Sequence, residues 1–126
     1  AGLVTLLPTP SYREALPVKM FEYMAAGIPV IASDFPLWRE IVEGSGCGLC
    51  VGPRDPGAIA AAIDHLAAHP RQARDMGANG RRAVLERYNW ENEEAKLIAF
   101  YADVLSPHSS RKKLRGKSNL SAHPIR

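Results

Sequence analysis

The 126-residue chain reads as an α/β protein, a Rossmann-like doubly wound parallel sheet. Three observations predict this. Short apolar runs of strand length alternate with longer stretches of helical period, the order that builds parallel βα units with helices on both faces of the sheet. Prolines and glycines stand where helices start and stop. Apolar residues make up 46% of the chain, ample for one packed core and too many for wholesale disorder. No run approaches the roughly 20 apolar residues that a membrane-spanning helix needs.

The elements follow in order. Leu3 to Leu7 is a short apolar run stopped by Pro8 and Pro10, as suits a buried strand that feeds a loop. Ahead of it are Ala1 and Gly2, with no Met and no charged region. The start therefore does not read as a signal peptide; it reads as a chain opened inside a strand. The loop ending at Leu16 leads to Pro17, expected at the first position of a helix, where its missing N–H costs nothing. Met20, Phe21 and Met24 recur at helical spacing, and Gly27 is placed as the stop. Ile28 to Ala32 reads as a strand with Pro29 at its entrance. Pro36 opens a short helix carrying Leu37, Trp38, Ile41 and Val42, closed by Gly44. Gly48 to Val51 is a third strand. Asp55-Pro56 is an N-cap followed by a first-turn proline, ahead of the alanine-rich helix Ala58 to Ala68. Pro70 opens a longer helix to about Tyr88, with Met76, Ala83 and Val84 inward and Arg71, Arg74, Arg81 and Arg82 outward. Gly77 and Gly80 weaken that helix and invite a break. A last helix, Glu91 to Leu105, carries the apolar stripe Leu97, Ile98, Tyr101 and Leu105.

Three strands are few for a doubly wound domain, which usually has about five or six, so an N-terminal portion is expected to be missing. In such a sheet ligands sit at the carboxyl ends of the strands. Two segments occupy those places: Pro8 to Leu16, and the turn Ser33 to Pro36.

The charge is uneven. Residues 1–105 carry ten Lys plus Arg against thirteen Asp plus Glu, whereas residues 106–126 carry six basic residues and no acid. The tail has few large apolar residues and no period, so it reads as a mobile terminus beside a folded part at 1–105. Its run 111–117 could attract anionic headgroups at a membrane surface by charge alone, though a solvated tail with no partner accounts for the same residues. Nucleic acid is not expected as a partner, because the tail has no aromatic residue to stack a base.

The first loop carries the chemistry. Glu14 and Glu22 are eight residues apart, one ahead of the helix and the other inside it. At about 1.5 Å of rise per residue, the two carboxylates can line one side of a cleft at separate depths. Carboxylates accept hydrogen bonds from hydroxyls, so such a pair could hold a polyhydroxylated ligand at two places. Between them is a helix start whose free N–H groups and dipole favour a phosphate, with Lys19 adding a full positive charge. A surface helix with two solvated glutamates accounts for the same residues.

The string from Glu14 through Glu22 to Ala25-Ala-Gly-Ile-Pro-Val-Ile-Ala-Ser33 resembles the E-x7-E segment of retaining GT-B glycosyltransferases, especially glycosyltransferase family 4. The likeness continues through Asp34 to Val42, Gly46 to Leu49, Asp55 to Ile59 and Tyr88-Asn-Trp-Glu91, and so covers residues 1–105. It implies part of the C-terminal, nucleotide-sugar-binding lobe of a GT-B enzyme. That enzyme would transfer a sugar from a UDP- or GDP-sugar to a saccharide or lipid-linked acceptor with retention, in the cytoplasm or at the inner membrane face. In the family the residue matched by Glu14 contacts the donor sugar, and the one matched by Glu22 binds the ribose hydroxyls. The amides of Ala15, Leu16 and Val18 would face sugar and diphosphate. Pro17 lacks an N–H in this stretch, and Lys19 compensates by charge. Arg13, beside Glu14, reaches either phosphate or water, and Tyr12 stands next to it. The Arg/Lys pair that many such enzymes use on the diphosphate is upstream of this chain, as is the acceptor-binding lobe. The fragment alone is expected to be inactive. Neither a metal nor another cofactor is expected, and the chain has no D-x-D acid pair. The alternatives are a non-catalytic nucleotide-binding module of the same fold or a nucleotide-sugar epimerase. A two-carboxylate glycosidase suits one cleft wall poorly.

Other candidates have plainer readings. Cys47 and Cys50 have redox-motif spacing, but they bracket a strand and are expected on opposite faces as structural thiols. His65 and His69 share a helix face without a third ligand in register. Trp38 and Trp90 are expected in the core rather than as sugar-stacking platforms.

Overall fold

The computed structural model describes residues 1–106; the basic run 111–117 lies outside the described residues. The chain divides into two compact units, residues 1–89 and residues 90 onward. The first holds three strands, β1 (Gly2–Val4), β2 (Val30–Ser33) and β3 (Gly48–Val51), and five helices: α1 (Pro10–Glu14), α2 (Val18–Ala25), α3 (Pro36–Val42), α4 (Pro56–Ala68) and α5 (Pro70–Glu86). The second holds α6 (Trp90–Leu105). Among the described residues no helix is long and apolar enough to cross a membrane.

The sheet is parallel in the order β1-β2-β3, with Leu3 opposite Ile31 and Ile31 opposite Leu49. Strand side chains alternate between faces, and β2 shows the consequence. Val30 and Ala32 belong to the larger core cluster with Val4, Met20, Met24, Trp38 and Val42, whereas Ile31 packs with Ala62 and Leu66 of α4. Helices thus cover both faces, as the predicted doubly wound architecture requires.

Helix starts follow local chemistry. Asp55 Oδ1 accepts from the Ala58 N–H at 2.9 Å ahead of Pro56, as the cap reading expected. Gly27 has φ +71°, the left-handed conformation that ends α2 and that side-chain-bearing residues rarely adopt. Pro17 is the N-cap of α2 rather than its first residue.

α5 does not break at its glycines. It runs unbroken from Pro70 to Glu86 with Gly77 and Gly80 buried. A Cβ on Gly77 would lie 2.0 Å from the Gly27 carbonyl oxygen, so the missing side chain is what lets α5 close onto the end of α2. Packing thereby outweighs the propensity cost that suggested a break. Met76, Ala83 and Val84 face inward and the four arginines outward, as the spacing predicts.

Two expectations about the core are corrected. Trp38 is fully buried, but Trp90 is 71% exposed. The stripe Leu97, Ile98, Tyr101 and Leu105 on α6 is likewise exposed. Cys47 and Cys50 do not take opposite faces: both pack against the larger core cluster. The strand begins only at Gly48, so the alternation that governs Cys50 does not extend back to Cys47.

Candidate functional site

The segment read as one loop contains a helix. Thr9 caps α1, its hydroxyl accepting from the Tyr12 N–H at 3.4 Å, and Pro10 occupies the first position. Arg13 and Glu14 therefore stand in the last turn of a five-residue helix. The chain is extended at Ala15 (φ −82°, ψ 149°) and at Pro17 (φ −70°, ψ 125°) before α2 begins at Val18.

Two anchors hold this segment to the sheet. The buried Ser33 hydroxyl, at the carboxyl end of β2, accepts from the Leu6 N–H and donates to the Leu6 carbonyl, both at 2.8 Å. The Trp38 indole N–H of α3 donates to the Ala15 carbonyl at 2.7 Å. Neither anchor was anticipated. The Thr9-Pro10 cap had a visible signal, the same pairing that marks Asp55-Pro56; the bonds of Ser33 and Trp38 span 27 and 23 residues and have no local signature.

α1 packs beside α3, and a cleft of about 380 Å³ between them is lined by Arg13, Glu14, Pro36 and Leu37. That volume falls within the range of small-molecule sites. The cleft joins Glu14 and Arg13, of opposite charge, to an apolar wall. Ala15, Leu16, Val18, Lys19 and Glu22 are outside its lining and exposed along the connector and α2. Met20 and Met24 fix the inner face of α2, which puts Glu22 on the outer one. No side chain caps α2, so its first N–H groups are not taken up by a side-chain oxygen.

The second predicted ligand position is largely occupied from within. Ser33 is engaged with Leu6, and Asp34 is paired with Arg39, whose Nε donates to Asp34 Oδ1 at 2.9 Å. Asp34, and Glu43 beyond it, hold the Arg39 guanidinium even more firmly protonated than usual. What this turn leaves for a ligand is the cleft wall at Pro36 and Leu37.

Away from the cleft, Cys47 and Cys50 are free thiols. Burial pushes Cys47 up to about 11. Burial, with the carboxylates of Glu43 and Asp34, pushes Cys50 up to about 12. Nucleophilic chemistry needs a thiolate, so these values agree with a structural role. His65 and His69 stack at 4.3 Å, with His65 Nε2 at 2.9 Å from Gln72 Oε1 and His69 Nδ1 at 2.7 Å from the His65 carbonyl oxygen.

Comparison with known proteins shows the family. The family model described as glycosyl transferases group 1 matches residues 4–83, which takes in both anchors, the cleft and Glu22. An MMP alpha-(1->4)-mannosyltransferase of Mycolicibacterium hassiacum is 33% identical over 98 residues, covering 77% of this chain and 24% of that protein. A GDP-mannose-dependent alpha-(1-6)-phosphatidylinositol monomannoside mannosyltransferase of Mycobacterium tuberculosis is 36% identical over 87 residues, covering 69% and 23%. Among solved structures, a sucrose-phosphate synthase from Thermosynechococcus elongatus superposes with a TM-score of 0.66 at 36% identity, over 71% of this chain and 22% of that one. The chain thus spans about a quarter of the length of the curated relatives it matches. The chain, with its parallel α/β unit, belongs to the glycosyl transferases group 1 family.

Proposed function

We propose that this chain is the donor-binding part of a retaining GT-B glycosyltransferase, of the family 4 type, that uses a UDP- or GDP-sugar. The observation that carries the reading is the placement of Glu14 in a sugar-sized cleft, one short connector away from the uncapped start of α2. Glu14 and Arg13 would meet the donor sugar, and Glu22 the ribose hydroxyls, with Ala15, Leu16, Val18 and Lys19 lying along the diphosphate between them.

The electrostatics suit the reaction. Glycosyl transfer builds positive charge at the anomeric carbon and negative charge on the departing diphosphate. Preorganised donors at the phosphates lower that barrier. The first amides of α2, its dipole and the Lys19 ammonium would supply them, so the leaving group need not depend on a metal. The acceptor, a saccharide or a lipid-linked one, would be bound by a second lobe outside this chain. The named donor of the Mycobacterium tuberculosis relative makes GDP-mannose the first ligand to try. Such an enzyme would work in the cytoplasm or at the inner membrane face, where the basic run 111–117 would be drawn to anionic headgroups.

The test is calorimetric titration of the chain with GDP, UDP, GDP-mannose and UDP-glucose. The reading predicts binding of one nucleotide series and its loss in Glu22→Ala. Equal binding by that variant would overturn the ribose assignment, and binding of nucleotide with no contribution from any sugar would favour a plain nucleotide-binding module.

A further inference from the structure

We propose that Trp38 is a positioning residue for the donor site: from inside the core it fixes the backbone at Ala15 and thereby sets where Glu14 stands. The inference rests on the donor-site reading above, which gives Glu14 its work.

Trp38 is the largest of the fully buried side chains, with Phe35 packed against it at 4.7 Å between ring centroids and 58° between planes. A buried indole almost always finds an acceptor for its N–H. Here the acceptor is not a neighbouring core group but the Ala15 carbonyl, on an exposed extended connector 23 residues away in sequence. The bond therefore joins a rigid part of the molecule to an otherwise solvated one. Ala15 is bonded directly to Glu14, and Leu37, the residue before Trp38, lines the same cleft as Glu14. One short helix, α3, thus supplies both a wall of the cleft and the peg that holds its opposite side. Loss of the peg frees the connector to sample other backbone angles, and a binding carboxylate held loosely contributes less than one fixed in place. Ser33 holds the other end of the segment at Leu6, so removing Trp38 loosens the Glu14 end specifically.

The full 126-residue chain tests this in two arms. Trp38→Phe removes the N–H while keeping an aromatic ring. Replacement of Trp38 by benzothienylalanine in a Trp90→Phe background removes it at constant volume, should the smaller ring disturb the core. Backbone 15N relaxation reads the first arm. Order parameters of Glu14, Ala15 and Leu16 should fall from about 0.85 toward about 0.6 in both variants, with Val30 to Ser33 unchanged; a uniform fall, or none, overturns the proposal. The second arm compares affinity for the nucleotide sugar with affinity for the bare nucleoside diphosphate. Trp38 variants should lose about tenfold for the former, equivalent to roughly 1.4 kcal/mol, and keep the latter. Equal loss for both would mark Trp38 as merely structural. If the unaltered chain bound neither ligand, the donor reading would fail, and the relaxation arm would still decide whether Trp38 positions Glu14.

Discussion

Replacing Gly77 by alanine sets two physical effects against each other. In the interior of a helix alanine is favoured over glycine by about 1 kcal/mol, so propensity alone predicts a more stable protein. Against this, the new Cβ would stand 2.0 Å from the Gly27 carbonyl oxygen and 2.8 Å from its carbon. Ordinary contact needs more than an ångström of further separation, and the obstacle is backbone at a turn whose φ of +71° is itself constrained. Overpacking of this kind costs about 1–3 kcal/mol, and a rigid neighbour puts the cost toward the upper end. The net prediction is a loss of about 1–2 kcal/mol, read as a fall in Tm of roughly 4–8 °C per kcal/mol for a domain of this size. Thermal and urea unfolding followed by circular dichroism measure it. Gly80→Ala is the internal comparison. Its Cβ would meet Cys47 and Met24 at 3.2–3.4 Å, so its penalty should be clearly smaller. A rise in Tm for Gly77→Ala would refute the close approach of α5 to the end of α2.

Two other perturbations follow from the same geometry. Ser33→Ala leaves the Leu6 N–H and carbonyl without their 2.8 Å partner and should cost about 1–3 kcal/mol in urea unfolding; a neutral result would mean that Ser33 does not pin the segment after β1 to the end of β2. Burial holds the folded-state pKa of Cys47 at about 11, above its ordinary value of 9.0. The unfolded chain therefore loses the proton first as pH rises, and stability declines above about pH 9 toward pH 11. For this one thiol the slope is at most about 1.4 kcal/mol per pH unit. Urea midpoints at pH 8 and pH 10 should converge for Cys47→Ala relative to the unaltered chain, and an unchanged pH dependence would contradict the buried-thiol assignment.

What could be read from the residues was what neighbours in sequence determine. β3 at Gly48–Val51 and the cap at Asp55 emerge where apolar runs, Pro and Gly placed them. The helical period also sorted α5 correctly into an inner face and an arginine-bearing outer one. Errors came where distant chain decides. Gly77 looks like a weak point until the Gly27 carbonyl is brought against it. Trp90 has the character of a core residue but stands exposed at the start of α6, while Trp38, of the same type, is wholly enclosed. At the site, Glu14 and Arg13 were identifiable from their pattern and do share a cleft. Pro36 falls in the turn already expected to face a ligand, whereas Leu37 and Trp38 join them only through the pairing of α1 with α3, which no local spacing encodes. The missed helix α1 is different in kind, since Thr9-Pro10 announces it.

A nucleotide sugar held, as proposed, along Glu14, the Ala15–Pro17 connector and the first two turns of α2 would be seen by amide chemical-shift mapping during titration with GDP-mannose and, in parallel, with UDP-glucose. One donor should shift the amides of Glu14, Ala15, Leu16, Val18, Lys19 and Glu22 together, saturably, with β3 and α4 undisturbed. Saturable shifts confined to other surfaces, or none at millimolar ligand with either donor, would contradict that placement.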